Sequence, residues 1–241
     1  MSEKIIPRYE NYAHYINDGW SKEPKFTFQK VYETASSTNK KDARVLDIGC
    51  ATGEFIAYMA SKKSSWNFVG IDVFDDLIDK AKEFVPDQSF INSDYLELDN
   101  SYNNSFDIIT AVGVISLFSG DDIDKFWKKS FELLKPGGAI IVLGPLNELG
   151  IDMDLKHRKW VDGKRKGWER GWSIPSLQSV EFAIKQDFKK YSISPYEAKL
   201  DLEPREDPIR TWTVAYKEKQ RQLTNGLKLL VDYYLIEAIK D

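Results

Sequence analysis

Cysteine and histidine are scarce in this chain, which has one cysteine, Cys50, and two histidines among 241 residues. A single cysteine excludes an internal disulfide and a thiolate-cluster metal site, and it agrees with a reducing compartment. No run approaches the roughly 20 apolar residues of a membrane span, and the N-terminal MSEKIIPRYE lacks the apolar core of a secretory signal. We therefore expect a cytoplasmic protein without a metal ion or a membrane partner.

An excess of positive charge is also absent, because the formal net charge is −4. Such a chain has no general field that attracts a phosphate backbone, so its charge argues against nucleic acid as the main partner. The hydrophobic content of 42% is enough to build the core of one domain. The composition thus fits one globular domain, and a local basic patch is the feature that could still override the argument against nucleic acid.

Short apolar runs alternate with helix-period segments between residues 43 and 144. This alternation is typical of strands joined by crossover helices, and it predicts a parallel sheet. The predicted strands are residues 44–48, 67–71, 89–92, 106–112 and 139–143. The predicted helices are residues 55–61, 75–84 and 122–134, and Pro136, Gly137 and Gly138 end the last of them.

The two flanks of this region have other patterns. Residues 1–42 are polar and aromatic without the alternation of a buried sheet, and we predict a helical N-terminal cap there. Towards the other end, polar turns separate four apolar segments, which predict antiparallel strands at 191–202, 211–216, 222–231 and 233–239. The expected domains are a cap at 1–42 and a main domain at 43–241, in which 196–231 cover the substrate side.

A turn of small residues follows the first predicted strand, in VLDIGCATGEF at residues 45–55. Open parallel sheets bind ligands beyond the carboxyl ends of their strands, and Gly49, Ala51 and Gly53 let the backbone approach a ligand closely. A dinucleotide site would show GxGxxG spacing, whereas this turn has G-x-A-x-G with Asp47 two residues ahead. A carboxylate there disfavours a diphosphate and favours a cation, so the chemistry indicates a sulfonium cofactor.

Acids also follow the second and third predicted strands. Asp72 ends the second strand, at a position from which a carboxylate reaches both hydroxyls of an adenosine ribose. Asp94 follows the third strand and is placed to accept a hydrogen bond from the adenine amino group. The remaining predicted cofactor contacts adjoin these strand ends and are Val73, Tyr95, Val112 and Gly113.

In this order and spacing, the glycine-rich motif, the acid after the second strand and the proline-glycine-glycine turn resemble the class I, Rossmann-like methyltransferases over residues 43–145. The resemblance implies an α/β, doubly wound fold with a mostly parallel seven-stranded sheet whose last strand is antiparallel. It implies S-adenosyl-L-methionine as cofactor and S-adenosyl-L-homocysteine as product. It also implies that Asp47 and the turn line the methionine end, while Asp72 and Asp94 bind ribose and adenine.

Some features of the chain depart from this pattern or have a purely structural alternative. Ala51 stands where the family more usually has glycine, and Ser116-Leu117 replace the glutamate-histidine pair of many small-molecule members. The glycine-rich segment alone also fits a tight turn, and Asp72 alone also fits a helix cap.

Methyl transfer requires an acceptor atom and, for a hydroxyl, a base that activates it. Methyl transfer from a sulfonium is an in-line displacement, so alignment of the reacting atoms supplies much of the acceleration. A hydroxyl acceptor must lose its proton, which makes His14, Glu148 and His157 the candidate bases, and we favour oxygen slightly over nitrogen as the acceptor atom.

Basic and indole side chains concentrate at residues 156–172, where seven Lys/Arg stand against two acids, a net +5, with three tryptophans. Basic groups bind phosphate and indoles stack on a ring or sugar face, so an acidic or phosphorylated acceptor fits. A solvated basic loop with tryptophans tucked into the core fits equally. The predicted acceptor contacts are Tyr12, Trp20, Trp168, Trp172, Arg205, Arg210 and Trp212.

The sequence thus predicts methyl transfer to an oxygen or nitrogen of a small, anionic or sugar-like metabolite. Three other functions stay open: an RNA methyltransferase, a catalytically inactive cofactor-binding partner subunit, and an NAD-dependent oxidoreductase. The missing GxGxxG spacing counts against the last of these. One scaffold hosts many substrates, so the resemblance does not name the acceptor.

Overall fold

The structure, a computed structural model, describes residues 16, 20, 23–118, 120–158, 160–197, 212–216, 218–224 and 230–241. The helices in these residues are α1 Phe26–Ser37, α2 Glu54–Lys62, α3 Asp75–Phe84, α4 Asp121–Leu133 and α5 Leu177–Asp187. Short 3₁₀ helices lie at Tyr95–Glu97, Asn100–Tyr102 and Ile115–Leu117. The strands are β1 Arg44–Ile48, β2 Asn67–Asp72, β3 Ser89–Asn92, β4 Phe106–Val112, β5 Leu134–Leu146, β6 Met153–His157, β7 Trp160–Val161, β8 Lys164–Arg165, β9 Glu169–Ile174, β10 Lys190–Tyr196, β11 Trp212–Tyr216, β12 Lys219–Thr224 and β13 Leu230–Ile239.

One sheet organises the molecule. Its parallel strands lie in the order β3-β2-β1-β4-β5, and β13 runs antiparallel beside β5. The other edge of β13 pairs with β10 and, further along, with β12, which in turn pairs with β11. The order β3-β2-β1-β4-β5-β13-β10 confirms the predicted mostly parallel seven-stranded sheet with an antiparallel last strand.

Helices cover both faces of this sheet, as its apolar strands require. One buried cluster joins α1, α2 and α3 to Val45, Ile108 and Ile141. The cluster on the opposite face joins α4 and α5 to Leu46, Ile109 and other alternate strand residues. The doubly wound arrangement leaves the carboxyl ends of β1 to β5 together at one edge.

Some predicted boundaries differ from the structure. Strand β5 begins at Leu134 rather than at residue 139, and its register against β4 shifts across Pro136, Gly137 and Gly138. The register shifts where this segment pairs with the end of the chain. Gly137 N–H donates to the Lys240 carbonyl, and Lys240 N–H donates to the Gly138 carbonyl. The single strand predicted at 222–231 is wrong, since β12 ends at Thr224 and β13 begins at residue 230.

The basic segment after β5 is a hairpin and not a solvated loop. Strands β6 and β9 pair antiparallel, and β7 and β8 form its tip around Asp162 and Gly163, which have φ of 51° and 71°. Such a two-residue turn with positive φ matches the twist of a hairpin. Trp160 and Trp168 are 65% and 60% exposed, so these two indoles are not tucked into the core. We call residues 153–174 the arm.

Parts of the predicted cap and cover lie outside the described residues. Helix α1 falls within the predicted cap, whereas Tyr12, His14, Arg205 and Arg210 lie outside. None of the helices in the described part of the chain is long and apolar enough to cross a membrane. The same residues hold no group of three or more His, Cys, Asp or Glu side chains placed to bind a metal ion.

Candidate cofactor site at the carboxyl edge of the sheet

The glycine-rich turn joins β1 to α2 and is tied to β2. The N–H groups of Gly49 and Cys50 both donate to the Ile71 carbonyl, at 2.8 and 3.1 Å. Gly49 and Gly53 have φ of 68° and 81°, a region that suits glycine. A Cβ on Gly49 would also lie 2.7 Å from Cγ2 of Val114. The small residues are therefore required by the turn itself.

Asp72, at the end of β2, holds this turn from the other side. Its Oδ2 accepts a hydrogen bond from the Ala51 N–H at 3.0 Å, and its Oδ1 accepts one from the Phe74 N–H at 3.2 Å. Burial raises the pKa of Asp72, while these backbone hydrogen bonds oppose the rise. A carboxylate has about four acceptor positions, so both oxygens can still accept from ligand hydroxyls. Asp72 thus combines a structural role with the predicted ribose-binding one.

Asp47 is buried beneath the turn, with 3% of its surface exposed. The Thr110 hydroxyl donates to its Oδ1 at 2.7 Å. Asp47 lies beside Gly70 and Thr110 in the sheet, and residues two apart share a face, so Asp47, Thr110 and Asp72 point to the same face. Burial raises the pKa of Asp47 to about 7, against the Thr110 hydrogen bond and with a contribution from the Asp72 charge. A nearby cation would favour its ionised form.

The end of β3 presents a more exposed acid. Asp94 caps the 3₁₀ helix that follows, because its Oδ1 accepts from the Leu96 N–H at 2.9 Å. Val73 lies next to Asp72 and is 53% exposed, which provides an apolar surface beside this carboxylate. Tyr95 requires a correction to the predicted cofactor site. Its side chain is buried in the core, where its hydroxyl lies 2.7 Å from that of Ser130, so it does not face this edge.

The end of β4 leaves unfilled space beside its backbone at Gly113. Gly113 has a φ of 73°, its N–H donates to the Leu143 carbonyl at 2.7 Å, and a Cβ built on it would meet no atom within 4 Å. Ser116 and Leu117 lie in the following 3₁₀ helix, and neither is an acid or a base. An open backbone at Gly113, a glycine turn and two carboxylates on one face fit a ligand that has a nucleoside and a cationic amino-acid end.

Glu148, one of the predicted bases, follows β5 and is exposed. Its Oε1 accepts a hydrogen bond of 2.5 Å from the hydroxyl of Tyr234 on β13. Burial and the neighbouring Glu148 raise the pKa of Tyr234, so the phenol stays protonated. Of the three predicted bases, Glu148 is the one whose side chain the structure describes, since for His157 it gives the backbone position, opposite Glu169. The sequence did not indicate Tyr234.

Among the predicted acceptor contacts, the structure describes the side chains of Trp20 and Trp168. Trp20 lies at the glycine-rich turn, where its indole N–H donates to the Thr52 hydroxyl at 2.9 Å and its ring meets Phe84 edge-on. Trp168 lies on the arm, and the backbones of Trp172 and Trp212 belong to β9 and β11. Trp20 therefore lies beside the glycine-rich turn, at the candidate cofactor site, rather than on the side of β5 and Glu148.

Comparison with known proteins connects this edge to a reaction. Residues 45–138 match a family described as a methyltransferase domain. Carboxy-S-adenosyl-L-methionine synthase of Nautilia profundicola is 26% identical over 171 residues, which are 66% of this chain and 66% of that protein. A tRNA (guanine-N(7)-)-methyltransferase of Nostoc sp. is 37% identical over 65 residues, 27% of this chain and 29% of that protein. The chain thus spans just under two thirds of the first relative and under a third of the second.

A solved structure shares the fold over nearly the whole chain. The PH0226 protein of Pyrococcus horikoshii OT3 superimposes with a TM-score of 0.59 at 17% identity, covering 98% of this chain and 97% of that one. The family match runs from β1 into β5 and includes the glycine-rich turn and the ends of β2, β3 and β4. The match agrees with the predicted enzyme class and cofactor and lends no support to the nicotinamide alternative. Residues 45–138 are thus similar to a methyltransferase domain, in agreement with the resemblance of the sequence to the class I, Rossmann-like methyltransferases.

Proposed function

We propose that this protein transfers a methyl group from S-adenosyl-L-methionine to an oxygen, or a nitrogen, of a small metabolite. The observation that carries the proposal is the meeting of Asp47, Asp72 and the positive-φ turn at one face of the carboxyl edge. S-adenosyl-L-methionine supplies an electrophilic methyl group on a sulfonium when it is bound. The protein supplies alignment and a dry environment, which are the main requirements of an in-line displacement.

Each part of the edge has a role in holding the cofactor. Asp72 accepts hydrogen bonds from the ribose hydroxyls, and Val73 covers the adenine. Asp94 accepts from the adenine amino group, which adds to its role as a helix cap. Asp47, in its ionised form, stabilises the positive charge of the amino-acid end through the low dielectric of its buried position. Gly113 leaves room for the ligand to lie against the end of β4.

Glu148 is the proposed general base for a hydroxyl acceptor. It follows β5 directly, so it lies at the carboxyl edge where the acceptor must meet the methyl group. The Tyr234 hydroxyl fixes one of its oxygens, which restricts the orientation of the carboxylate. The Asn147 side chain anchors the same segment, since its Nδ2 donates to the carbonyls of Ile151 and Ile174. A free amine would need no such base.

Turnover with labelled cofactor tests the proposal. The full chain is incubated with methyl-labelled S-adenosyl-L-methionine and a panel of small hydroxyl and amine metabolites, and label transfer is measured with S-adenosyl-L-homocysteine release. Transfer to a small acceptor is the expected result. Cofactor binding without transfer to any acceptor would instead support the inactive partner subunit.

We further propose a cytoplasmic location, which the single and buried Cys50 supports.

RNA is a second candidate acceptor. The local match to a tRNA methyltransferase and the exposed basic and aromatic side chains of the arm favour it. The net charge of −4 argues against it, since RNA binding depends on several phosphate contacts. Steeply salt-dependent binding of RNA, with transfer of the label to RNA, would replace the small acceptor. Failure to bind RNA at low salt removes this candidate.

A further inference from the structure

We infer that the arm recognises an acceptor sugar that is carried on a phosphate group, through two arginine–tryptophan pairs on its surface. This inference rests on the proposed function, because it names the class of acceptor for the same reaction. The arm is set apart from the rest of the molecule by its composition. Its residues 156–172 carry a net +5 in a chain of net −4, which leaves −9 for the other residues.

In each pair, a guanidinium lies over an indole ring that remains open to solvent. Arg165 stands opposite Trp160 across the tip of the hairpin, and its Cζ lies 5.5 Å from the ring centroid. The Cζ of Arg158 lies 4.6 Å from the ring centroid of Trp168. Large aromatic side chains are usually buried, so two indoles with about two thirds of their surface exposed indicate a surface that binds something.

Hydrogen bonds fix the base of the arm near the carboxyl end of β5, on the side of the proposed acceptor. Asn147, at the end of β5, bonds to the Ile174 carbonyl at the end of β9. Asp152, just before the arm, accepts hydrogen bonds from the N–H and the hydroxyl of Ser176, just after it. Strand β9 also packs beside the 3₁₀ helix Ile115–Leu117 that follows β4. The base of the arm therefore lies near the ends of β4 and β5, and a ligand long enough to extend from the pairs to the base would reach Glu148.

The chemistry of the pairs fits a phosphorylated sugar. The flat indole face packs well on the apolar face of a pyranose ring, and the guanidinium fork binds phosphate oxygens through two parallel hydrogen bonds. A guanidinium already stacked on an indole loses less freedom when it binds. The pairs are therefore prepared to hold both parts of one ligand at once.

Charge distinguishes this ligand from a nucleic acid. A polynucleotide that contacted the arm would extend over the remaining surface, where the net charge of −9 repels further phosphates. A ligand with one or two phosphates would contact the basic segment alone. The exposed position of the indoles also suits a ligand that extends beyond the site, such as a sugar attached to a nucleoside diphosphate, better than a free metabolite enclosed in a pocket.

Calorimetry with UDP-glucose as the probe tests the inference on the full chain saturated with S-adenosyl-L-homocysteine. We expect UDP-glucose to bind more tightly than glucose or pyrophosphate alone. The double variants Arg158→Gln/Arg165→Gln and Trp160→Ala/Trp168→Ala should each weaken its binding at least tenfold, and leave cofactor affinity unchanged. Lys62→Gln on α2 and Phe182→Ala on α5 are matched controls, since both residues are exposed and neither belongs to the arm.

Three results would overturn the inference. These are no binding of UDP-glucose, equal binding by the parent and both arm variants, and tighter binding of a 12-nucleotide single-stranded RNA than of UDP-glucose. Circular dichroism verifies that the variants are folded. Failure of the proposed function would look different, because S-adenosyl-L-homocysteine itself would then not bind or no acceptor of any class would be methylated.

Discussion

The Thr110 hydroxyl donates a 2.7 Å hydrogen bond to the carboxyl of Asp47, and both side chains are buried. The two residues lie side by side on β4 and β1, directly beneath the glycine-rich turn. The hydrogen bond lowers the pKa of Asp47, but burial raises it by more. The pKa therefore rises from its ordinary 3.8 to about 7. A group that titrates near neutrality at the cofactor site connects pH to cofactor binding.

Cofactor affinity should therefore depend on pH through Asp47. As pH rises from 6 to 8, Asp47 becomes ionised and attracts the ammonium of the cofactor, so we expect affinity for S-adenosyl-L-homocysteine to rise roughly tenfold. Calorimetry across this range measures the change, and Asp47→Asn should flatten it. A parent protein whose affinity is the same at pH 6 and pH 8 would contradict the role of Asp47.

The raised pKa of Asp47 has the opposite effect on the stability of the unliganded protein, which should fall as pH rises. Because the folded-state pKa of Asp47 is raised, the native state binds more protons than the unfolded state between pH 3.8 and about 7. The contribution of Asp47 to the free energy of unfolding is therefore present below pH 3.8 and is lost as pH rises to about 7. Denaturant titrations should show a smaller decline over this range in Asp47→Asn than in the parent.

Asp72→Ala should weaken S-adenosyl-L-homocysteine binding by on the order of 2 to 4 kcal/mol, through the loss of two hydroxyl contacts and of the Ala51 hydrogen bond. Asp107→Ala is a matched control at the opposite edge of the sheet, where Asp107 accepts hydrogen bonds from the Arg44 N–H and from Lys135. The control should lower stability without changing cofactor affinity. Equal affinities of Asp72→Ala and the parent would remove Asp72 from the site.

Ala51→Gly should stabilise the protein. Ala51 has a φ of 46°, a left-handed conformation that costs a residue with a Cβ about 1 kcal/mol. Glycine removes this cost, so we expect a gain of about 1 kcal/mol in the free energy of unfolding, measured by denaturant titration. Ala57→Gly, inside α2, should lose about 1 kcal/mol. A loss of stability in both variants would show that Ala51 is unstrained.

Glu148→Gln should lower kcat for a hydroxyl acceptor by roughly 10² to 10⁴-fold, because the acceptor loses its base. Tyr234→Phe should have a smaller effect of roughly tenfold, since the carboxylate remains but its orientation is less restricted. Neither change should alter the affinity for S-adenosyl-L-homocysteine. Steady-state kinetics on the methylated acceptor measure both effects, and an unchanged kcat in Glu148→Gln would exclude Glu148 as the base.

The sheet, and the edge proposed to bind the cofactor, were predictable from the sequence for a physical reason. Strands buried on both faces appear as continuous apolar runs, and the connecting helices have their own period, so the order of elements can be read along the chain. The edge follows from that order, because parallel strands place their carboxyl ends together. Asp47 and Asp72 were identified in this way.

Contacts between distant segments were not predictable. Tyr234 and Glu148 are 86 residues apart, and their hydrogen bond depends on the register of β13 against β5, which local periodicity does not fix. The hairpin was missed because Met153 and Ile174, which pack together at its base, lie outside residues 156–172, where charged residues predominate and were interpreted as a loop or as ligand contacts. Tyr95 was assigned to the cofactor by its position after Asp94, but its side chain faces the opposite way, into the core.

A structure of the full chain with S-adenosyl-L-homocysteine bound tests the central claim most directly. We expect the ribose hydroxyls to lie about 3 Å from the carboxylate of Asp72, with the amino-acid end of the ligand over the glycine-rich turn on the Asp47 side. A ligand bound away from this edge, or one whose ribose does not contact Asp72, would contradict the claim that these strand-end carboxylates form the cofactor site.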